Sequence, residues 1–473
     1  MITPDAPDRQ YSTRLRTALV LVGSGTAGAY HAGVLRALHE AGVKIDLVAG
    51  RGVGAVGAFF SAVDGGIRLW DADGLWRSPH AATFYNWRAT LRMAGWSLAA
   101  AGVIFAVPLA LLALAVVVGM IGLLLSLVGL EATATTLTGG YSRWIDTLFA
   151  PASLPTIIPR LVLLAILLGV AALAAGAVRP VLSARARRRT TRGIAARLAG
   201  VPLSTAAIVD RSTTELWNLI RGAAPIARPE AAELAAKYVE LLGENLGQPG
   251  FRELLLTVHD LDARRDLVFA LLAPAHRQRF FGRAGVPSAA GRYIEAFDLA
   301  GVARTHAIDA LRAALAVPIA TDPHLITFAA EGPWRGEAHR LCDRPGAAAR
   351  LLEEVASAGA EQVILVCAAS PPAHAHEMSA GRADLRGRAG EQLASFETAG
   401  FRDIGEHFAG RFAGTFVVRP EHNPVGPLDF AGVYDERSDR IQSLAELVDR
   451  GYEDAYRQFI EPIVGGGDKE EPA

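Results

Sequence analysis

Cysteine is nearly absent. Cys342 and Cys367 are the only two in 473 residues, too few for a disulfide framework and without the paired spacing of zinc sites. A reducing compartment and no structural metal are the expectation. An excess of charge is missing too: 47 Lys and Arg stand against 48 Asp and Glu, a net of −1, so no overall field draws a polyanion and nucleic acid is not an expected partner. Charged residues are 20% of the chain and apolar ones 51%. The mean hydropathy is positive, unusual for a chain living wholly in water. The stretch Met1–Arg16 is polar, with no apolar run behind it, so no secretory leader is expected. No repeat of solenoid period stands out.

Charge is missing altogether between Arg92 and Glu131, where Val103 to Leu130 is almost continuous Val, Leu, Ile, Ala and Gly. That exceeds the roughly 20 residues that cross a bilayer. A second uncharged run, Leu161 to Val178, is just long enough for a short span. Neither keeps the polar stripe of a soluble core helix. The first run reads either as one long tilted helix or as a tight hairpin broken near Pro108. Arg88 and Arg92 precede it, and Arg179, Arg185, Arg187, Arg188, Arg189, Arg192 and Arg197 follow the second run. Both flanks therefore read as cytoplasmic, and two spans are expected. Tyr141, Trp144 and Phe149 suit a connection at the membrane surface. The Arg-rich stretch reads as a topology signal touching anionic headgroups rather than as a nucleic-acid patch.

Ahead of this segment, Ala18–Val22 reads as a buried strand running into Gly23-Ser24-Gly25-Thr26-Ala27-Gly28. A helix carrying Val34, Leu35 and Leu38 follows and stops at Gly42. A second strand, Ile45–Ala49, leads into Gly50-Arg51-Gly52-Val53-Gly54 and a small-residue helix to about Val63. This is a β-α-β-α unit with two glycine turns on one edge. Such turns let backbone amides approach a ligand, and the helix N-terminus behind them favours negative charge. The first turn fits the dinucleotide fingerprint Gly-x-Gly-x-x-Gly, with Asp46 18 residues beyond Gly28. Asp46 lies at the start of its strand, however, whereas the ligand crevice lies at the carboxyl ends. No nicotinamide, flavin or other cofactor is expected.

The same residues resemble the patatin-like phospholipase family. Gly23–Gly28 matches its oxyanion loop, Gly33-Val34-Leu35 its first helix, Asp46 the acid before the second strand, and Gly50–Gly54 its Gly-x-Ser-x-Gly elbow. Farther along, Leu254–Leu261 resembles an inner strand and Ala307–Ile319 a small-residue helix. Ile326–Gly332 is similar to the strand and turn bearing the catalytic Asp-Gly, and Val363–Cys367 to a following strand. The resemblance implies a three-layer α/β/α sandwich interrupted by a transmembrane helical hairpin. The expected parts are a disordered 1–16, the first half of the α/β domain at 17–91, the hairpin at 92–179, a basic linker at 180–200, the rest of the domain at 201–464 with a helix near Ile441–Phe459, and a disordered 465–473.

The chemistry of that family is altered here. Gly52 stands where the nucleophilic Ser would stand, and Glu331 before Gly332 is the best counterpart of the dyad Asp. Ser24 replaces a loop Gly, and Ala27 replaces a basic residue. Ser24 is the unconventional nucleophile candidate, while Gly23, Ser24, Gly25, Gly28, Gly50, Arg51 and Gly54 are the binding residues of loop and elbow. Arg51 could pair with an anionic headgroup. Asp64-Gly65-Gly66 spells the family's Asp-Gly-Gly but comes too early and reads as a helix-ending turn. His374, His376 and Glu377 read as a loop rather than a metal site. The expectation is a membrane-anchored, catalytically degenerate lipid acyl hydrolase binding a lipid or acyl ligand, with its α/β domain in the cytoplasm and its protein partner open. The alternative is an active hydrolase with an unconventional nucleophile. Gly52→Ser alone is expected to recover little hydrolysis, and adding Glu331→Asp to recover more.

Overall fold

The computed structural model describes residues 11–148, 157–182, 201–282, 294–369, 385–408, 410–435 and 438–464. Two compact units result: one combines Met1–Asn86 with Leu203–Ala473, and the other is Trp87–Pro202.

The first unit is built on a mixed sheet with nine strands among the described residues: β1 (Thr17–Gly23), β2 (Leu47–Gly52), β3 (Glu253–Asp260), β4 (Arg265–Leu271), β5 (Ala296–Asp298), β6 (His324–Thr327), β7 (Ala338–Cys342), β8 (Gln362–Cys367) and β9 (Gly414–Val418). Seven run in the order β9-β8-β1-β2-β3-β4-β5, with β7 paired to β3 and β6 to β7 off this path. The first five in that order are mutually parallel, and β4 turns back antiparallel on β3. Strands such as Thr-Ala-Leu-Val-Leu-Val-Gly are apolar without alternation because both faces of the sheet are covered. Leu19 and Leu21 enter one core, Ala18, Val20 and Val22 the other. Helices α1 (Ala27–Glu40) and α2 (Gly54–Ala62) lie on the first face. The helix Ala348–Ser357 lies on the second. The result is an α/β/α layering.

From β1 the chain moves to β2 and β3 on one side, while β8 and β9 lie on the other. The loops after β1 and β2 therefore sit at the carboxyl ends of strands beside a reversal of strand order, where open α/β sheets form crevices. Strand β7 has a special place. It pairs antiparallel with the last residues of β3, Cys342 opposite His259, just past the point where β2 pairs Arg51 with Thr257. The residue after β7 thus emerges against the end of β2.

The second unit contains α3 (Ala89–Leu127), α4 (Glu131–Leu148) and α5 (Ile157–Leu182). Helix α3 passes through Pro108 without a break, so of the two readings of this run the long single helix holds and the tight hairpin does not. At 39 residues it is about 58 Å long, well over the ~30 Å hydrocarbon core. Among the described residues it is the one helix long and apolar enough to cross a membrane, and its apolar window is wholly unburied. The apolar stretch of α5 that could return is Arg160–Ala175, short of about 20 residues. The connection is itself helical: α4 folds back along α3, with Thr138 against Gly122 and the Tyr141 hydroxyl donating to the Leu111 carbonyl at 2.5 Å. Tyr141 and Trp144 thus lie on this helix. The basic run from Arg185 to Arg197 and Phe149 fall outside the described residues.

Candidate functional site

The two glycine turns come together as their sequence promised. Gly23 ends β1 beside Gly52, which ends β2. Gly52 has φ +59°, the strained left-handed conformation of a nucleophile elbow and one that a residue without Cβ adopts freely. Gly50 and Gly54 allow the start of α2 to lie on the strand. A Cβ on Gly54 would stand 2.1 Å from the Leu21 carbonyl oxygen, and one on Gly50 2.7 Å from the backbone at Gly54 and Ala55.

At Gly52 the space for a side chain is filled. A Cβ there would lie 2.1 Å from the Gly23 carbonyl oxygen and 2.9 Å from Asp343 Oδ2. The same Gly23 carbonyl accepts the Val53 amide at 2.8 Å. The amide after the nucleophile is one of the two oxyanion donors of an elbow, and here an internal backbone bond occupies it.

The carboxylate facing the elbow is Asp343, and sequence reasoning did not find it. Glu331 is exposed in the turn between β6 and β7, where Gly332 N–H bonds the Ala329 carbonyl. The turn lies at the far end of β7 from residue 343. The β6–β7 pairing puts Thr327 opposite Ala338 and His324 opposite Leu341, so the strand following the Glu331 turn delivers Asp343, not Glu331, to the elbow. The chain Cys342-Asp343-Arg344-Pro345-Gly346 lacks the Asp-Gly pair that drew attention to position 331. The available signal was an Asp at a strand end before Pro-Gly.

Asp343 is the centre of a buried polar chain. Its Oδ2 accepts the Ser24 hydroxyl at 2.5 Å. Its Oδ1 accepts Arg51 Nη1 at 2.8 Å and the Arg344 amide at 2.8 Å. The other arm of Arg51 pairs with Glu397 on α6 (Leu385–His407). Ser24, Arg51, Asp343 and Glu397 are each at most 3% exposed. Arg51 therefore faces inward onto two carboxylates and is not a surface residue awaiting a headgroup. Burial pushes the Asp343 carboxyl up, and the Arg51 charge does not fully offset it. Glu397 is raised by burial in the same way. Arg51 itself is pulled down by burial, but the two carboxylates outweigh this and hold it above its ordinary value. Beside them, burial pulls the His31 imidazole down to about 4. His31 Nε2 lies 3.1 Å from the Val22 carbonyl oxygen, and its Nδ1 has no partner among the described residues.

A cover closes the loop from outside. Gly25, at φ +60°, lies under Phe430 and the Pro427 carbonyl, each 3.2 Å from where a Cβ would stand. The Thr26 hydroxyl bonds the Asp429 carbonyl, and Phe430 packs on Tyr85 with ring centroids 4.6 Å apart. Gly28 leaves room for the Trp76 ring, which would meet a Cβ at 2.1 Å.

The hydroxyl–carboxylate pair has the composition of a Ser-Asp dyad, displaced from the elbow into the loop. Among the described residues no cluster of three or more His, Cys, Asp or Glu could hold a metal ion, and His374, His376 and Glu377 lie outside those residues. Both cysteines are free thiols, buried; burial pushes Cys342 up to about 12.

No family model matches the sequence, and no curated protein matches it. Among solved structures, the chain is similar to VipD from Legionella pneumophila over 94% of its own length and 66% of that chain, at 11% identity and a TM-score of 0.29. The chain thus spans just under two thirds of that protein, and at this score the likeness carries no argument.

Proposed function

We propose that the chain is a membrane-anchored protein with the layout of a patatin-like lipid acyl hydrolase and no working nucleophile, serving as a lipid- or acyl-binding or regulatory protein. The single observation that carries this reading is the Gly23 carbonyl at the elbow. It takes the place of a side chain at position 52 and consumes the Val53 amide, so nucleophile and oxyanion donor are lost together. In this reading α3 crosses the membrane, α5 returns, and the basic flanks keep the α/β unit in the cytoplasm.

A second reading rests on the 2.5 Å bond between Ser24 and Asp343: a hydrolase whose nucleophile is Ser24. It requires Phe430 and Pro427 to withdraw and another donor to replace the Val53 amide. Hydrolysis of aryl esters and of phospholipid vesicles by the full chain in detergent separates the two. No turnover above background is expected. Turnover abolished by both Ser24→Ala and Asp343→Asn would establish the second reading.

A further inference from the structure

At the opposite edge of the sheet from the elbow lies a cavity of about 230 Å³. It opens where α1 and α2 end and where β2 and β3 begin. Its walls include Leu38, Val43, Ile67 and Trp70, and it holds two charges, Arg252 and Asp64. Arg252 directly precedes β3, and Asp64 follows α2 with φ +53°.

Arg252 is half-buried and Asp64 exposed, and neither charge is paired with another side chain among the described residues. Arg252 Nη1 donates to the Ser61 carbonyl at 2.6 Å and to the Gly250 carbonyl at 3.3 Å. Its Nε and Nη2, the two that point side by side, have no partner among the described residues. Burial lowers its pKa, with Asp64 and Asp46 only partly compensating. A half-buried guanidinium whose Nε/Nη2 side carries no carboxylate can receive a planar, bidentate anion. Asp64 likewise makes no ion pair or hydrogen bond among the described residues. It lines the same cavity without pairing with Arg252.

We propose that this cavity binds a small zwitterion with an apolar body, in chemical class an α-amino acid with an apolar side chain. The carboxylate would take the Nε/Nη2 fork of Arg252, the ammonium would face Asp64, and the side chain would lie on Leu38, Val43 and Trp70. A multiply charged anion such as phosphate is disfavoured because Asp64 stands on the same cavity. The volume is below the roughly 300–1,000 Å³ of sites for drug-sized ligands, which fits a small metabolite. The site is independent of the elbow and of the proposed function.

Titration calorimetry of the full chain in detergent tests it with L-leucine, N-acetyl-L-leucine, L-leucinamide and inorganic phosphate. L-leucine is expected to bind saturably, with the acetylated and amidated analogues at least about tenfold weaker, since each loses one charged contact. Asp64→Asn is expected to weaken L-leucine about tenfold while leaving N-acetyl-L-leucine unchanged, and asparagine tolerates the left-handed backbone there. Arg252→Lys is expected to abolish binding. Should that variant fail to fold because Ser61 loses its partner, the Asp64→Asn comparison decides alone. No saturable L-leucine binding, equal binding of N-acetyl-L-leucine or phosphate, or an unaffected Asp64→Asn variant would overturn the proposal.

Discussion

At the scale of single residues, the site is governed by a buried cation between two buried carboxylates. Removing one member of such a set leaves uncompensated charge and costs about 3–5 kcal/mol. Arg51→Met is therefore expected to lose about that much at pH 7, read from chemical denaturation. The pH dependence has a definite sign. Asp343 and Glu397 have folded pKa values above their ordinary ones, so the folded state holds their protons more tightly. Their contribution is fully present below the unfolded values, near 4, and is lost as pH rises through the folded values. In Arg51→Met both carboxyls rise further, so the deficit relative to wild type is expected to be smaller at pH 4 than at pH 7. An equal deficit at both would show that the carboxyls do not respond to Arg51. Gly52→Ser, by contrast, meets the Gly23 carbonyl and a left-handed φ. It is expected to cost about 2 kcal/mol or more and to give no hydrolysis. Adding Glu331→Asp is expected to change nothing, because Glu331 lies in an exposed turn.

At the scale of elements, helix α1, which carries the glycine loop, is clamped by α7 (Leu444–Ala455). A Cβ on Gly33 would stand 1.9 Å from the Val448 carbonyl oxygen, and one on Gly451 2.2 Å from that of Tyr30. The Ser443–Glu446 capping box fixes the start of α7, and the Tyr30 hydroxyl reaches Asp454 at 3.2 Å. Gly33→Ala is accordingly expected to lower stability by about 2 kcal/mol or more, with faster hydrogen exchange in 444–455. A thermally neutral variant would refute the clamp. These elements also show what could be read from the sequence. Strands β1 and β2 were legible because a short apolar run leading into a glycine turn has few other solutions, whereas β3 and β8 were expected only through the family resemblance. The glycine turns were legible because their spacing fixes a strand-turn-helix geometry. Asp343 was not, because its place depends on β7 entering the lane that β2 vacates, a pairing with no local signature. Glu397 was hidden on a helix of mixed polarity, and composition alone did not decide between a break at Pro108 and the continuous α3 that forms.

At the scale of the whole molecule, the first unit is assembled from chain on both sides of the apolar helices, so both segments belong to one compartment. The Arg88 amide donates to the Pro202 carbonyl at 3.0 Å, which brings the two ends of the second unit to one point. Reporter fusions after Ala89 and after Gly200 are expected to report the same, cytoplasmic side. Opposite sides would contradict both the two-span topology and the single split α/β unit. The central claim, that the elbow is closed and Ser24 is a structural hydroxyl, is tested most directly by intact mass of the full chain in detergent after treatment with a fluorophosphonate. Such a probe marks a serine only where a base and an oxyanion site are in place. The account predicts an unmodified chain in the wild type and in Ser24→Ala alike. Stoichiometric labelling of the wild type that disappears in Ser24→Ala would contradict it and make Ser24 and Asp343 a working dyad.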